Sequence, residues 1–291
     1  MSLLKIRCSG VPEHFNFPWK IALEKGLFEK AGIQLIWTEN GAGTGAMCQD
    51  LTDDLIDMAI VLTEGAISNL HRENPSKICS FYTDSPLIWG VHTAFNKQFN
   101  KTQLQEKAEF AISRYTSGSH LMAFLYLQSI GIKNSPQFNL VNDLNGAREE
   151  FKNSPEQLFL WEKFTTKPFV DNKELTKIDE IPTPWPAFVI LSSNRIIEKH
   201  SDAIYTILKI VQQQAQELKA SENSSNEIAA RYGLKIEDAQ TWFNELKWSS
   251  KVEIDTQTLN KVTSTLYDLN LITYKKDARE FIHSFKRQFI L

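Results

Sequence analysis

Apolar and polar positions alternate from the start of the chain: Leu4, Ile6 and Cys8 on one side, Lys5, Arg7 and Ser9 on the other. That period of two predicts a strand with one buried face. A loop follows, Val11-Pro-Glu-His-Phe-Asn-Phe-Pro-Trp19, whose Pro18 suits the first turn of a helix. The helix runs through Ile21, Ala22 and Leu23 to Gly26, a short turn covers 27–31, and 33–38 is the second strand. A glycine-rich turn over 40–46 leads into a helix through Met47 and Leu51. Residues 56–62 are nearly all apolar, which predicts a strand covered on both faces, and they run into Thr63-Glu-Gly-Ala-Ile67 as a further helix start.

Strands are expected over 77–82 and 87–94, and the polar stretch 95–107 looks like a crossing between domains. Phe110, Ala111 and Ile112 then feed a small-residue turn at 116–119 into an apolar helix closed by Gly131. A strand at 138–141, a helix at 143–151 and a strand at 157–160 complete an alternation that argues for parallel sheets flanked by helices. Beyond it, 174–181 reads as a strand, the proline-rich 182–186 as a stiff extended crossing, and 187–192 as a strand. The remainder is mainly helical, with helices expected over 201–220, 227–232, 236–246, 255–271 and 276–285.

At 291 residues the chain is long enough for two domains. With 42% hydrophobic and 23% charged residues it has the balance of an ordinary globular protein. A net charge of -3 without any Lys/Arg block argues against nucleic acid as a partner. No apolar run reaches the roughly 20 residues of a membrane helix, so no membrane insertion is expected. Cys8, Cys48 and Cys79 are odd in number and far apart, which points to buried free thiols, no zinc site and a reducing compartment. Lys5 and Arg7 interrupt any leader-like apolar core. A cytoplasmic location is expected as encoded, or a periplasmic one if a leader has been removed.

The candidate chemistry lies at strand-to-helix turns, where open α/β sheets bind ligands and the first helical amides have no intrahelical acceptor. Ser117, Gly118, Ser119 and His120, with Arg114 just before them, make one such turn. His14, Phe15 and Trp19 stand at another, Gly43 and Thr44 at a third, and Thr63 and Glu64 at a fourth. Trp161 and Glu162 end the strand at 157–160. Each has a plainer reading: Ser117, Ser119 and Glu64 as helix caps, Trp19 and Trp161 as packing residues. The glycines at 41, 43 and 45 match neither a phosphate loop nor the dinucleotide spacing, so no nucleotide or other cofactor is expected.

The order of Glu24-Lys-Gly-Leu-Phe28, Gly32-Ile33, the Gly-Thr-Gly turn at 43–45 and Asp57-Met-Ala-Ile60 resembles the type II periplasmic-binding-protein fold. Ser117-Gly-Ser-His120 and Trp161-Glu162 extend the likeness, which is to solute-binding proteins for nitrate, sulfonates, taurine and thiamine-pyrimidine precursors. Glu13-His14, Leu62-Thr-Glu-Gly65, Ser85-Pro-Leu-Ile-Trp-Gly90, Leu160-Trp-Glu-Lys-Phe164 and Pro182-Thr-Pro-Trp-Pro186 look most like a leaderless branch of undefined ligand.

The resemblance implies two doubly wound α/β domains, 1–93 with 187–291 and 94–186, joined by crossings near 91–96 and 182–187. The helical C-terminal part would pack on the first domain, and a ligand would lie in the cleft between the two. It implies a small polar or anionic organic ligand, an aminopyrimidine or a sulfonate-like solute, and an ABC permease as partner. The turns with His14, Arg114 and His120 would hold an anionic group, while Glu64 and Glu162 would meet an amine or ring nitrogen. Phe15, Trp19 and Trp185 would stack on a flat ring, with Ser85 nearby. Two other readings share the fold: a cytoplasmic enzyme of thiamine-pyrimidine or menaquinone type using His14 and Glu64, and the effector-binding half of a transcription regulator, which lacks a DNA-reading helix pair here.

Overall fold

The computed structural model describes residues 2–97 and 101–285. In chain order the elements are β1 (Leu4–Gly10), a 3-10 turn (His14–Asn16), α1 (Phe17–Glu24), α2 (Leu27–Lys30), β2 (Ile33–Glu39), α3 (Thr44–Thr52), β3 (Met58–Leu62), α4 (Thr63–His71) and β4 (Ser76–Phe81). There follow β5 (Ile88–Ala94), α5 (Lys101–Glu106), β6 (Glu109–Ile112), α6 (Gly118–Ser129), β7 (Gln137–Leu140), α7 (Leu144–Asn153), β8 (Leu158–Glu162), α8 (Lys163–Asp171) and β9 (Leu175–Pro182). The chain closes with β10 (Phe188–Ser193), α9 (Asn194–Ala220), α10 (Ser224–Tyr232), α11 (Ile236–Glu245), α12 (Thr256–Asp268) and a 3-10 turn at Ala278–Glu280.

The chain divides into two compact units, one built from residues up to Ser85 and from Trp185 on, the other from Pro86–Pro184. The first unit holds a sheet of order β2-β1-β3-β10-β4. β1 runs parallel to β2 and β3, and β10 runs antiparallel to both β3 and β4. Met58, Ala59, Ile60 and Val61 are all buried, the two-sided cover that their unbroken apolar run predicts. Helix α1 packs on α9 and α4 on α12, so the C-terminal helices belong to this unit. Arg7 donates to Asp57 and Asp54, and Arg195 pairs with the same two carboxylates, tying β1, the turn before β3 and the start of α9.

The second unit holds a sheet of order β7-β6-β8-β5-β9, in which β6 is parallel to β7 and β8 while β5 is antiparallel to β8 and β9. Its core includes Ala111, Val141, Ala147, Phe151 and Phe159, where α7 covers the sheet.

Several expectations need correction. Both sheets are mixed rather than parallel, because each receives one reversed strand, β10 or β5. The first crossing does not lie at 91–96: Val91 to Ala94 belong to β5, hydrogen-bonded within the second sheet, and the chain passes between units after Ser85 and again before Trp185. Part of the polar 95–107 stretch forms α5, and residues 98–100 lie outside the described residues.

Helix α8 was hidden by Thr165, Thr166 and an internal Pro168, all poor helix formers. Its start is held by Glu162, which accepts from the Thr165 amide and hydroxyl. The helix expected at 276–285 is reduced to the 3-10 turn Ala278–Glu280, with Ile282 bridging to Ile78. The amide of Ile78 donates to Phe281 and that of His283 to Ile78, so this segment covers β4, the edge of the first sheet.

The first turns of α3 and α4 approach closely. A Cβ on Gly65 would stand 2.4 Å from Thr44 Cγ2, while Thr44 Oγ1 accepts from the Leu62 amide at 3.0 Å. Gly65→Ala therefore costs about 2 kcal/mol through overpacking, more than the helix propensity it gains. Thr44→Ser removes the obstructing methyl and keeps the hydroxyl, so it restores most of the loss in the double variant. Denaturant melts of the two single variants and the double variant check this, and additive losses would refute the contact.

Candidate functional site

In the first unit the predicted residues gather at the start of α4 and along the returning segment. The Thr63 amide donates to Ala187 O at 3.0 Å and its hydroxyl to Pro186 O at 2.6 Å. Trp185 Nε1 donates to Glu64 Oε2 at 2.9 Å. Three consecutive residues of the returning chain are thus held by two consecutive residues of one helix start. Ser85 lies beside them, its carbonyl accepting from the Ala187 amide and its hydroxyl from the Lys247 amide. Thr44 reaches the same place through its bond to Leu62, and Gly43 caps α3 at φ +78°, a conformation suited to glycine.

Glu64 is only 3% exposed, and its Oε1 is buried without a hydrogen-bond partner. Desolvation pushes its carboxyl up to about 7, against the lowering effect of the Trp185 indole and its own backbone amide.

His14, Phe15 and Trp19 serve the core instead. The His14 ring packs against Phe15, Tyr232 and Trp242, and its Nε2 is buried without a partner. Burial pushes it down to about 3, so it is neutral and supplies no cation for an anion. No hydrogen bond joins it to Glu64 among the described residues, leaving the proposed acid-base pair unformed. Phe15 packs on Phe188 and Trp242, and its carbonyl accepts from the Tyr82 hydroxyl and from Trp248 Nε1. Trp19 is fully buried between Phe28 and Trp37. Trp185 is buried as well, with its indole N–H engaged by Glu64.

In the second unit the turn before α6 is a hydroxyl cluster. Ser117 caps the helix by accepting from the His120 amide and donates to Arg114 O at 2.7 Å. Ser119 Oγ accepts from the Ser113 amide at 3.0 Å and lies 3.0 Å from Ser117 Oγ. These hydroxyls are spent on the turn, while the amides of Gly118 and Ser119 have no intrahelical acceptor. His120 Nδ1 accepts from the Thr116 amide at 3.1 Å, which places the neutral ring's proton on Nε2. Desolvation pushes His120 down to about 4, so its ring is a neutral donor rather than a cation. Arg114 is half-buried beside it.

Trp161 stacks on Phe159, and Glu162 is buried as the cap of α8, its carboxyl raised by desolvation against the bonds from Phe164 and Thr165. Ser113 was not anticipated, and Thr116 was expected in the turn but not as a residue that fixes His120. Ser113 follows a strand end, and Thr116 has φ +65°, which only backbone geometry reveals. Among the described residues no group of three or more His, Cys, Asp or Glu is placed to hold a metal. A groove of about 360 Å³ on the first unit is lined by Lys25, Lys30, Gln213, Gln214 and Glu217, none of them a predicted site residue.

The raised carboxyl of Glu64 has a signature in stability. An unfolded Glu ionises near its ordinary 4.5 and the folded one near 7, so its contribution is complete below pH 4.5 and lost as pH rises through 7. The gap corresponds to about 3 kcal/mol. His14 and His120 act in the opposite sense, losing stability as pH falls below 6.5. Glu64→Gln leaves both histidines in place. The stability of Glu64→Gln relative to the parent should therefore rise by up to about 3 kcal/mol between pH 4 and pH 8, measured by urea melts; a flat difference would mean that Glu64 is solvated.

Comparison with known proteins places the fold. A family model described as Ca3427-like PBP, a periplasmic-binding-protein family, matches residues 89–181. The CA3427 gene product of Candida albicans, whose structure defines a family with the generic periplasmic binding protein fold, superposes with a TM-score of 0.89 at 25% identity, over 99% of this chain and 98% of that one. The alkanesulfonate-binding protein SsuA of Xanthomonas axonopodis, bound to MOPS, gives 0.80 at 11% identity over 97% and 99%. The nitrate-binding protein NrtA of Synechocystis gives 0.74 at 13% over 96% and 84%. No protein of curated function matches the sequence significantly. The chain has the periplasmic binding protein fold, and it resembles the solute-binding proteins built on it.

Proposed function

We propose that this protein binds a small polar organic molecule, in the manner of the solute-binding component of an ABC importer. The observation that carries the reading is the likeness in fold, over nearly the whole chain, to proteins named for binding alkanesulfonate and nitrate. Fold alone does not determine function, and the turns supply the chemical support. The start of α6 presents two amides without intrahelical acceptors and the His120 Nε2 proton, three donors suited to a carboxylate, sulfonate or ring acceptor. The start of α4 presents a carboxyl with a spare oxygen. The first turn suits the acidic or ring-acceptor part of a polar organic solute and the second suits an amine or amino group, and an ABC permease is the partner that a solute-binding role calls for.

The enzyme reading with His14 and Glu64 gains nothing from the geometry, since His14 is packed among aromatic rings. Purified protein analysed by native mass spectrometry should carry a small molecule, or be stabilised by one in a screen of polar solutes. At 100 times its Kd a ligand adds about 2.7 kcal/mol, which raises Tm by roughly 5 °C. His120→Ala should weaken that ligand about tenfold, the effect of losing one hydrogen bond of about 1.4 kcal/mol. Consumption of a bound compound during the assay would overturn the binding reading.

A further inference from the structure

We infer that the ligand carries a nitrogen bearing a proton, as an amine or aminoheterocycle, that pairs with Glu64, and that the site selects against a bare oxyanion. The inference deepens the proposed function and rests on it. Glu64 is 3% exposed, and of its two carboxyl oxygens one accepts the Trp185 indole proton at 2.9 Å while the other is buried without a partner. An unmatched buried carboxyl oxygen is costly, because water's hydrogen bonds have been removed and nothing replaces them.

The rest of this turn is occupied. The Thr63 hydroxyl donates to Pro186, the Thr44 hydroxyl accepts from Leu62, and the Ser85 hydroxyl accepts from Lys247. The unmatched position therefore falls on one carboxyl oxygen, an acceptor whenever the group is ionised, and what satisfies that acceptor is a donor. A nitrate or a simple sulfonate brings only acceptors and negative charge, so it would meet the ionised carboxyl with lone pairs on both sides, whereas a cationic or N–H-bearing nitrogen supplies the donor and favours that ionised form. Among the described residues no cationic side chain is one of the groups acting on Glu64, which leaves the counter-charge to be brought by the ligand. Sulfonate- and nitrate-binding proteins share the fold, so Glu64 is a feature by which this chain's ligand would differ from a bare anion.

Matched pairs of probes separate the alternatives: taurine against ethanesulfonate, and 4-aminopyrimidine against pyrimidine, each titrated calorimetrically into the full chain and into Glu64→Gln. The amide of Gln keeps an acceptor for Trp185 and turns the spare position into a donor. The expected result is that at least one nitrogen-bearing member binds the parent ten times or more tighter than its mate, and that Glu64→Gln abolishes or reverses the preference. Equal binding within both pairs, or a preference that survives Glu64→Gln, overturns the inference while leaving the solute-binding reading intact. If Glu64→Gln does not fold, the pairs on the parent protein still decide. Absence of binding by every probe, with no molecule released from the purified protein, removes the solute-binding reading and this inference with it. A released molecule without a protonated nitrogen or N–H group overturns the inference alone.

Discussion

The first unit depends on how the chain re-enters its sheet at Trp185–Ala187. Strand β4 joins that sheet through β10, which lies between β3 and β4 and runs against both. The segment leading into β10 contains Pro184 and Pro186, which have no amide to donate to a ladder. Its placement falls to the start of α4. Thr63 binds Pro186 and Ala187 through hydroxyl and amide, Glu64 binds the Trp185 indole, and Ala187 closes on Ser85. A helix start has unpaired amides and acceptor-bearing side chains to spend; here part of that capacity sets the register of a strand. The candidate ligand turn and the sheet are consequently the same construction.

The corresponding turn of the second unit is held differently. Its serines satisfy one another and the carbonyl of Arg114, and Thr116 is kept at positive φ by its amide's bond to His120. Such a residue costs of order 1 kcal/mol or more in strain, which the hydroxyl cluster and the packing of His120 on Phe124 and Phe138 offset. The consequence is a rigid set of donors with no formal positive charge on the imidazole. The imidazole can orient an acceptor without itself adding the net charge that long-range attraction of anions needs.

Much of this was legible in the sequence. The unbroken apolar run of β3, the proline-rich return and the polar turns ahead of α3, α4 and α6 are local signals, and local signals survive translation into structure. The reversed strands β5 and β10 were not legible, because strand direction in a sheet is decided by pairing partners distant in sequence. Helix α8 was missed because its stability comes from the Glu162 cap and packing, against the propensities of Thr165, Thr166 and Pro168. Within the site, the pattern identified Thr63, Glu64, Ser117 and Trp185 as polar or aromatic residues at turns. It did not show that Trp19 and His14 face their own core, since burial of an aromatic ring depends on Trp37, Tyr232 and Trp242 arriving from elsewhere.

Two buried carboxylates in the first unit differ in their partners rather than in their depth. Asp57 and Glu64 are each 3% exposed and lie seven positions apart on either side of β3. Desolvation raises both, but Asp57 receives the guanidinium of Arg7, the Arg7 amide and the charge of Arg195, and the sum holds it below the ordinary Asp value. Glu64 receives an indole and its own amide, and desolvation prevails. The chain thus carries cations enough to neutralise a buried acid and places them at the β1 end of β3, away from the α4 turn. Asp57 is complete within the protein, and its removal would leave Arg7 and Arg195 to the more exposed Asp54. Glu64 retains an acceptor that the protein does not fill. A fold whose stability rested on Glu64 as a charge would have brought it a counter-ion; one that keeps it for recognition leaves that role to the molecule it binds.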